Sequence, residues 1–99
     1  MSKRATAVAL LVADQDPTAV IEDVEFPNWI GWDMPSDWQL SFVYVDGAWQ
    51  ATATSPSCDR FEWPELNVPA EGREPQAVAD EIFKRVVVFD RWARRREAA

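Results

Sequence analysis

The segment WQLSFVYVDGAWQATAT, residues 38–54, gives the clearest local structural signal in this chain of 99 residues. Two stretches with alternating side-chain character, 38–45 and 48–54, flank the dipeptide Asp46-Gly47. This pair tolerates the positive φ angles of a type I′ turn, so the segment predicts a two-residue β-hairpin. Alternation of this kind is typical of an antiparallel sheet with one buried face and one wetter face. The side chains expected on one face are Leu40, Phe42 and Tyr44 from the first strand, and those from the second are Trp49, Ala51 and Ala53.

A long helix is predicted for residues 75–96. Pro75 has the φ angle of a first helical residue, and apolar residues then recur every three or four positions. This apolar stripe consists of Val78, Ile82, Val86, Phe89 and Ala93. Acid-before-base pairs at four-residue spacing, which support an exposed helix face, are Asp80 with Lys84, Glu81 with Arg85, and Asp90 with Arg94. We expect such a helix to lie across the sheet.

The N-terminal third is more ambiguous. Residues 5–13 form an apolar run with no polar face, and their short length favours a central strand, although the alanines also suit a buried helix. The run superficially resembles a signal peptide after Lys3 and Arg4, but it is too short to span a bilayer and no convincing cleavage site follows. Asp16 and Pro17 predict the start of a short helix over 18–25, with a strand over 19–26 as the alternative.

Prolines and glycines divide the remaining chain. Residues 27–37 are interpreted as an irregular loop that projects Trp29 and Trp32. Residues 60–63 predict a short edge strand, and residues 64–74, with two internal prolines and Gly72, an extended crossover. The whole is predicted to be a single α+β domain. It has a small antiparallel sheet of three to four strands, with the C-terminal helix packed on one face.

Charge is distributed unevenly along the chain. Residues 5–83 contain 15 acidic side chains and only two basic ones, whereas residues 84–99 contain six basic side chains and two acidic ones, and the net charge is −7. An anionic body repels polyanions and attracts basic surfaces. The predicted partner is therefore a basic protein surface, and nucleic acid and membrane are not expected.

Residues suited to catalysis are few. The chain has no histidine and a single cysteine, Cys58, which excludes Ser-His-Asp and Cys-His arrangements and any intramolecular disulfide. Paired carboxylates such as Asp14 with Asp16 lack the spacing of a calcium loop. We therefore expect no enzymatic activity, no metal and no cofactor, and a reducing, cytoplasmic setting.

The candidate interface combines tryptophans with nearby acids. Trp dominates interface energetics when it is buried at the centre of a contact, and acids steer a protein towards basic partners. The residues assigned to this interface are Trp29, Trp32, Asp33, Asp37, Trp38, Glu22, Asp23 and Glu25. Two alternatives for the loop tryptophans are a lid packed over the core and a platform for sugar rings.

A second candidate site lies at the C-terminal end of the long helix. Arg91, Arg94, Arg95 and Arg96 surround Trp92, a pattern that can provide nucleic-acid contacts. The same cations also suit the last turns of a helix, where the macrodipole stabilises them. A homodimer sealed by the apolar helix face, with Val88 and Trp92 off the main stripe, is a further possibility.

The sequence thus favours a non-enzymatic, acidic protein-binding module that acts as an inhibitor or adaptor and covers a basic surface of its partner. That partner surface could itself be one that binds nucleic acid. The analogy is with small acidic proteins, including those of phages, that block the nucleic-acid-handling machinery of a host. Imitation of nucleic acid would further require carboxylates at phosphate-like separations. The alternative is a nucleic-acid-binding accessory domain that uses the C-terminal arginines.

Overall fold

The computed structural model describes residues 3–21 and 28–98, and these contain two helices, six strands and one turn of 3-10 helix. The helices are α1 (Lys3–Gln15) and α2 (Pro75–Ala98). The strands are β1 (Val20–Ile21), β2 (Trp29–Asp33), β3 (Gln39–Val45), β4 (Ala48–Thr54), β5 (Arg60–Glu62) and β6 (Val68–Pro69), and the 3-10 turn is Pro64–Leu66. The α+β class and the long C-terminal helix are confirmed.

The six strands form one antiparallel sheet. Strands β1 to β5 lie in sequence order, and β6 pairs with β4 on the same edge as β5 but further along the strand. Each of these pairs is antiparallel. The sheet therefore has more strands than the three to four that the sequence predicted.

The hairpin around Asp46-Gly47 is confirmed, since β3 and β4 pair along their whole length. Asp46 has a φ of 52° and Gly47 a φ of 80°, the two positive angles that a type I′ turn needs. The predicted apolar positions share one face of the sheet. Four of them, Leu40, Phe42, Trp49 and Ala53, are fully buried, Ala51 is nearly so, and Tyr44 is half-buried.

Residues 5–13 form a helix, so the prediction of a central strand is wrong. The buried residues of α1 are Ala5, Val8, Ala9 and Val12, which are spaced by three or four residues and so form one helical face. Leu10 lies off that face and is 45% exposed. Two of the four buried residues are alanines, and α1 packs against α2 through this narrow apolar stripe. The helical period of residues 5–13 was hidden because no charged residue marked the outer face.

Asp16 terminates the first helix instead of starting a second one. Its carboxylate accepts hydrogen bonds from the backbone nitrogen and the hydroxyl of Thr18, at 2.9 and 2.6 Å. These bonds close a turn at Pro17, after which Val20 and Ile21 pair with β2. A helix therefore does not begin at Thr18, and the strand alternative is correct for residues 20 and 21. Residues 22–25 of the predicted helix, and residues 22–26 of the strand alternative, lie outside the described residues.

The predicted irregular loop over 27–37 is also wrong, because Trp29–Asp33 is strand β2 and pairs in register with β3. The connection between these strands is the short segment 34–38, where the Met34 amide donates to the Trp38 carbonyl at 2.8 Å. Asp37 has a φ of 66° in this connection. The prolines and Gly31 led to the prediction of a loop, but Ile30 and Trp32 are apolar strand residues that face the core.

The edge strand predicted for residues 60–63 is confirmed over Arg60–Glu62, but the crossover that follows contains structure of its own. The 3-10 turn Pro64–Leu66 carries the chain away from β4, and β6 brings it back to the same edge. Between β5 and β6, both backbone groups of Ala51 find partners in the crossover. The Trp63 amide donates to the Ala51 carbonyl at 3.0 Å, and the Ala51 amide donates to the Asn67 side chain at 2.7 Å.

The core lies on one side of the sheet. The buried stripe of α2, which includes Val78, Ile82, Phe89 and Ala93, belongs to one apolar cluster with α1 and the inner face of the strands. The opposite face carries exposed or half-buried side chains. It includes Asp33, Gln39, Val43, Gln50, Thr54, Arg60 and Glu62. One sheet face is therefore open, as the alternation in the hairpin predicted.

Candidate functional site

Five aromatic side chains meet where the edge of the sheet approaches the C-terminal half of α2. We call Trp38, Phe61, Trp63, Phe89 and Trp92 the aromatic cluster. Trp92 is central: its ring meets those of Trp38 and Trp63 edge to face, with centroids 5.0 and 4.6 Å apart, and stacks with that of Phe89 at 5.8 Å. Such pairs add about 0.5–1.5 kcal/mol each beyond the area they bury.

Each ring is supplied by a different part of the fold. Trp38 ends the β2–β3 connection, Phe61 is the middle residue of the edge strand β5, and Trp63 leads into the 3-10 turn. Phe89 and Trp92 lie three residues apart on α2 and so share one side of the helix. The cluster forms only when the hairpin, the edge strand and the helix come together.

The cluster is buried on the inside and open on the outside. Phe89 is 1% exposed, the three tryptophans are half-buried, and Phe61 is 48% exposed. A groove of about 360 Å³ runs over the outer side, between the cluster and the turn at residues 55–59. We call this the aromatic groove. Its polar lining includes Asp59 and Arg96.

Arg96 lies over the Trp92 ring, with its guanidinium carbon 4.7 Å from the ring centroid. The other C-terminal arginines, Arg91, Arg94 and Arg95, are exposed on the last turns of α2. Arg94 forms an ion pair with Asp90 at 2.9 Å, one of the pairs expected from the sequence, and Arg85 forms another with Glu81 at 3.1 Å. The third expected pair was Asp80 with Lys84, but the Asp80 carboxylate accepts a hydrogen bond from the Gln76 side chain at 2.8 Å.

The predicted interface residues do not gather in one place. Trp38 joins the aromatic cluster, with the exposed Asp37 beside it in the chain, whereas Trp29 and Asp33 lie on the open sheet face. Trp32 is only 4% exposed, so it does not project from a loop. The remaining members of the set, Glu22, Asp23 and Glu25, lie outside the described residues.

The indole nitrogen of Trp32 donates to the carboxylate of Asp16 at 2.9 Å. Partial burial alone would raise the pKa of Asp16, but the hydrogen bonds from Thr18 and Trp32 stabilise the charged form and leave its pKa below the usual value. Trp32 is thus an internal packing residue of strand β2, and it belongs neither to a projecting loop nor to a lid over the core.

A shallow trough of about 460 Å³ crosses the open sheet face. The ring of Trp29 lies over Gly31, where a Cβ would come within 2.2 Å of the ring. Asp33, Gln39, Thr54 and Arg60 form one row across four neighbouring strands beside it. This places an acid and a base at opposite ends of a polar row.

Sequence reasoning missed Phe61 and Trp63 as site residues. The signal was present in the predicted edge strand, where Phe61 stands between Arg60 and Glu62. An aromatic residue flanked by charges on a sheet edge has little core to enter, so its ring is directed to a surface cluster. The sequence also treated Trp38 and the arginines around Trp92 as two sites, and the structure brings Trp38 together with Trp92 and with one of these arginines, Arg96.

Within ranges 3–21 and 28–98, no group of three or more histidine, cysteine or carboxylate side chains is placed to hold a metal ion. In the same part of the chain, neither helix combines the length and apolar character needed to cross a membrane.

Comparisons with protein families, with curated proteins and with solved structures give no match for this chain.

Proposed function

We propose that this chain is a non-enzymatic protein-binding module that docks its aromatic cluster onto a basic surface of a partner protein. The observation that carries the proposal is the solvent-open outer side of the cluster, where Phe61 is 48% exposed beside three half-buried tryptophans. Contiguous exposed aromatic surface is costly in water unless a partner covers it, and tryptophan is enriched at the centre of protein interfaces.

The net charge of −7 adds the chemistry of the partner. Carboxylates accelerate encounter with a basic surface and disfavour contact with other anions. Asp37 precedes Trp38 in the chain and Asp59 lines the aromatic groove, so two carboxylates lie near the docking surface, beside Arg96. The proposed mechanism is occlusion of that basic surface, as an inhibitor or adaptor would produce.

This proposal keeps Trp38 and Asp37 from the sequence-based interface and transfers the anchoring role from Trp32 to Phe61 and Trp92. Trp29 and Asp33, on the open sheet face, stay a prediction. The lone cysteine, Cys58, is exposed and forms no disulfide, and it suits the cytoplasmic setting that we propose with this function.

The test compares Phe61→Ser with Leu10→Ser, because the two wild-type side chains are similarly exposed, at 48% and 45%, but only Phe61 belongs to the cluster. Wild type and each variant are immobilised and used to capture partners from a cell extract of the organism that encodes the protein. The capture is repeated at low and at raised salt concentration. We expect basic partners that bind wild type and Leu10→Ser, bind Phe61→Ser at least about tenfold more weakly, and dissociate as salt rises.

Partners that are mainly acidic, or that bind Phe61→Ser as well as wild type, would contradict the proposal. Urea unfolding of both variants checks that a loss of binding does not reflect a loss of folding. Light scattering on the same samples detects self-association, in which case the partner is a second copy of the chain.

The alternative function, nucleic-acid binding, is favoured by one observation, the position of Arg96 over Trp92 at the arginine-rich end of α2. Aromatic rings beside arginines can stack with bases of a single strand. Binding of an oligonucleotide of about 20 residues that weakens steeply from about 50 to 200 mM salt, and is lost in Arg95→Ala/Arg96→Ala, would support this alternative. Absence of binding at low salt would remove it.

A further inference from the structure

The side chain of Arg96 is held in the aromatic groove by little except the ring of Trp92. Its guanidinium carbon lies 4.7 Å from the ring centroid, and within the described residues it forms no ion pair. The residue is exposed near the C-terminal end of a helix. A contact of this kind at an exposed site is weak, so the guanidinium can leave the ring at small cost.

The turn opposite Trp92 supplies a carboxylate that is already positioned. The Ser57 hydroxyl donates to Oδ2 of Asp59 at 3.1 Å, and the Asp59 amide donates to the Ser55 hydroxyl at 3.0 Å. The other carboxylate oxygen, Oδ1, accepts no hydrogen bond from the described residues. Asp59 therefore lines the groove with a free acceptor site and a negative charge.

We propose that the aromatic groove is a binding site for an arginine side chain of the partner protein, and that Arg96 occupies the cation position on Trp92 until that side chain replaces it. This inference rests on the proposed function, because it names the partner group that the groove receives. The incoming guanidinium stacks on Trp92 and donates to Asp59, two interactions that Arg96 does not make together in the free protein.

Arginine fits these two elements better than the other candidates. A guanidinium is planar, stacks on an aromatic face and can donate to a carboxylate at the same time. A lysine ammonium is more strongly hydrated and makes only a point contact with the ring. A nucleotide could stack its base on Trp92, but the carboxylate of Asp59 in the same groove would repel its phosphate. The net charge of −7 also favours a cationic ligand.

The test follows the indole N–H signals of the full-length protein by NMR during titration with N-acetylarginine amide. We expect the signals of Trp38, Trp63 and Trp92 to shift, while that of the fully buried Trp49 stays in place. N-acetylcitrulline amide has nearly the same shape without the charge, and it should bind clearly more weakly. Asp59→Asn should weaken arginine binding.

Removal of the internal competitor gives the decisive comparison. Arg96→Ala should bind the arginine probe about two- to fivefold more tightly than wild type, the gain expected when a weak cation–π contact no longer has to be broken. Lys84→Ala removes one positive charge from the same helix at an exposed position outside the groove, so it should bind as wild type does. Equal gains in both variants would show a general charge effect and overturn the proposal.

Three further results would also overturn it: no shift with arginine in wild type or Arg96→Ala, equal binding of citrulline, or shifts caused by a nucleoside monophosphate and not by arginine. The proposed function is judged separately. A partner that depends on Phe61 but not on its own arginines leaves the protein-binding function standing and removes this inference. Specific arginine binding without a Phe61-dependent partner would leave the arginine site standing and remove the protein-binding function.

Discussion

The carboxylate of Asp16 accepts a hydrogen bond from the indole nitrogen of Trp32 at 2.9 Å, and this bond joins the end of α1 to strand β2. The same carboxylate accepts the amide and the hydroxyl of Thr18. One side chain thus ends the helix, closes the turn and satisfies a buried indole.

Replacement of this carboxylate should destabilise the fold. Asp16→Ala leaves the Trp32 indole nitrogen without its acceptor and opens the turn, and hydrogen bonds to a charged group are worth about 1.5–3 kcal/mol. The matched control is Asp14→Ala, which removes an exposed carboxylate two residues earlier. Urea unfolding should show a lower midpoint for Asp16→Ala and little change for the control. Equal midpoints in the two variants would contradict the structural role.

The contribution of Asp16 should depend on pH in a defined direction. Its pKa is lowered in the folded protein from an ordinary value of 3.8, so its stabilising effect is complete above that value. The effect is lost as pH falls through the lower folded-state pKa. The difference in unfolding free energy between wild type and Asp16→Ala should therefore be constant from neutral pH to about 5 and shrink below about 4. A difference that grows on acidification would refute this assignment.

Gly31 should tolerate a side chain only when Trp29 is absent. In the wild type, Gly31→Ala forces the Trp29 ring to move, because its Cβ would lie 2.2 Å from the ring, and overpacking of this kind costs about 1–3 kcal/mol. In a Trp29→Ala background the same substitution should stabilise the strand by about 0.5–1 kcal/mol. A double-mutant cycle of unfolding free energies measures this coupling, and additive effects would show that the ring does not cover Gly31.

Asn67 should be replaceable by aspartate but not by alanine. Its side-chain oxygen accepts the amide of Ala51 at 2.7 Å, and Ala51 is 3% exposed. Asn67→Ala leaves that buried amide unpaired, at a cost of about 1–3 kcal/mol, whereas Asn67→Asp keeps an acceptor. Hydrogen exchange at the Ala51 amide should accelerate in the alanine variant alone. Acceleration in both variants would indicate that the side-chain NH₂ group of Asn67, and not its oxygen, is essential.

Local patterns predicted the hairpin, the edge strand and α2. In each of them, the periodic pattern of apolar side chains and the residues that turn or start the element lie close together in the sequence. Asp46-Gly47 and the stripe from Val78 to Ala93 are examples. The same method failed for α1, whose outer face carries Leu10 where a polar residue would have revealed the period. It failed for β2 because Gly31 and the neighbouring prolines indicated a loop, whereas the Trp29 ring lies over Gly31 in the strand, a contact that the sequence does not display.

The candidate site was predictable only in part, for a related reason. Trp38 and Trp92 were both identified as notable, but they are far apart in the chain, and only the packing of α2 against the sheet brings their rings to 5.0 Å. Phe61 is a candidate interface residue because its side chain is 48% exposed, and this exposure depends on the position of β5 at the edge of the sheet.

Cys58 gives the turn at residues 55–59 a practical value. It is the only thiol of the chain, it is exposed, and it lies between Ser57 and Asp59, which both line the aromatic groove. A maleimide dye would therefore attach at one position, at the rim of the groove and away from the buried core. Its emission would record, in real time and without any engineered cysteine, when a partner arrives and when it departs.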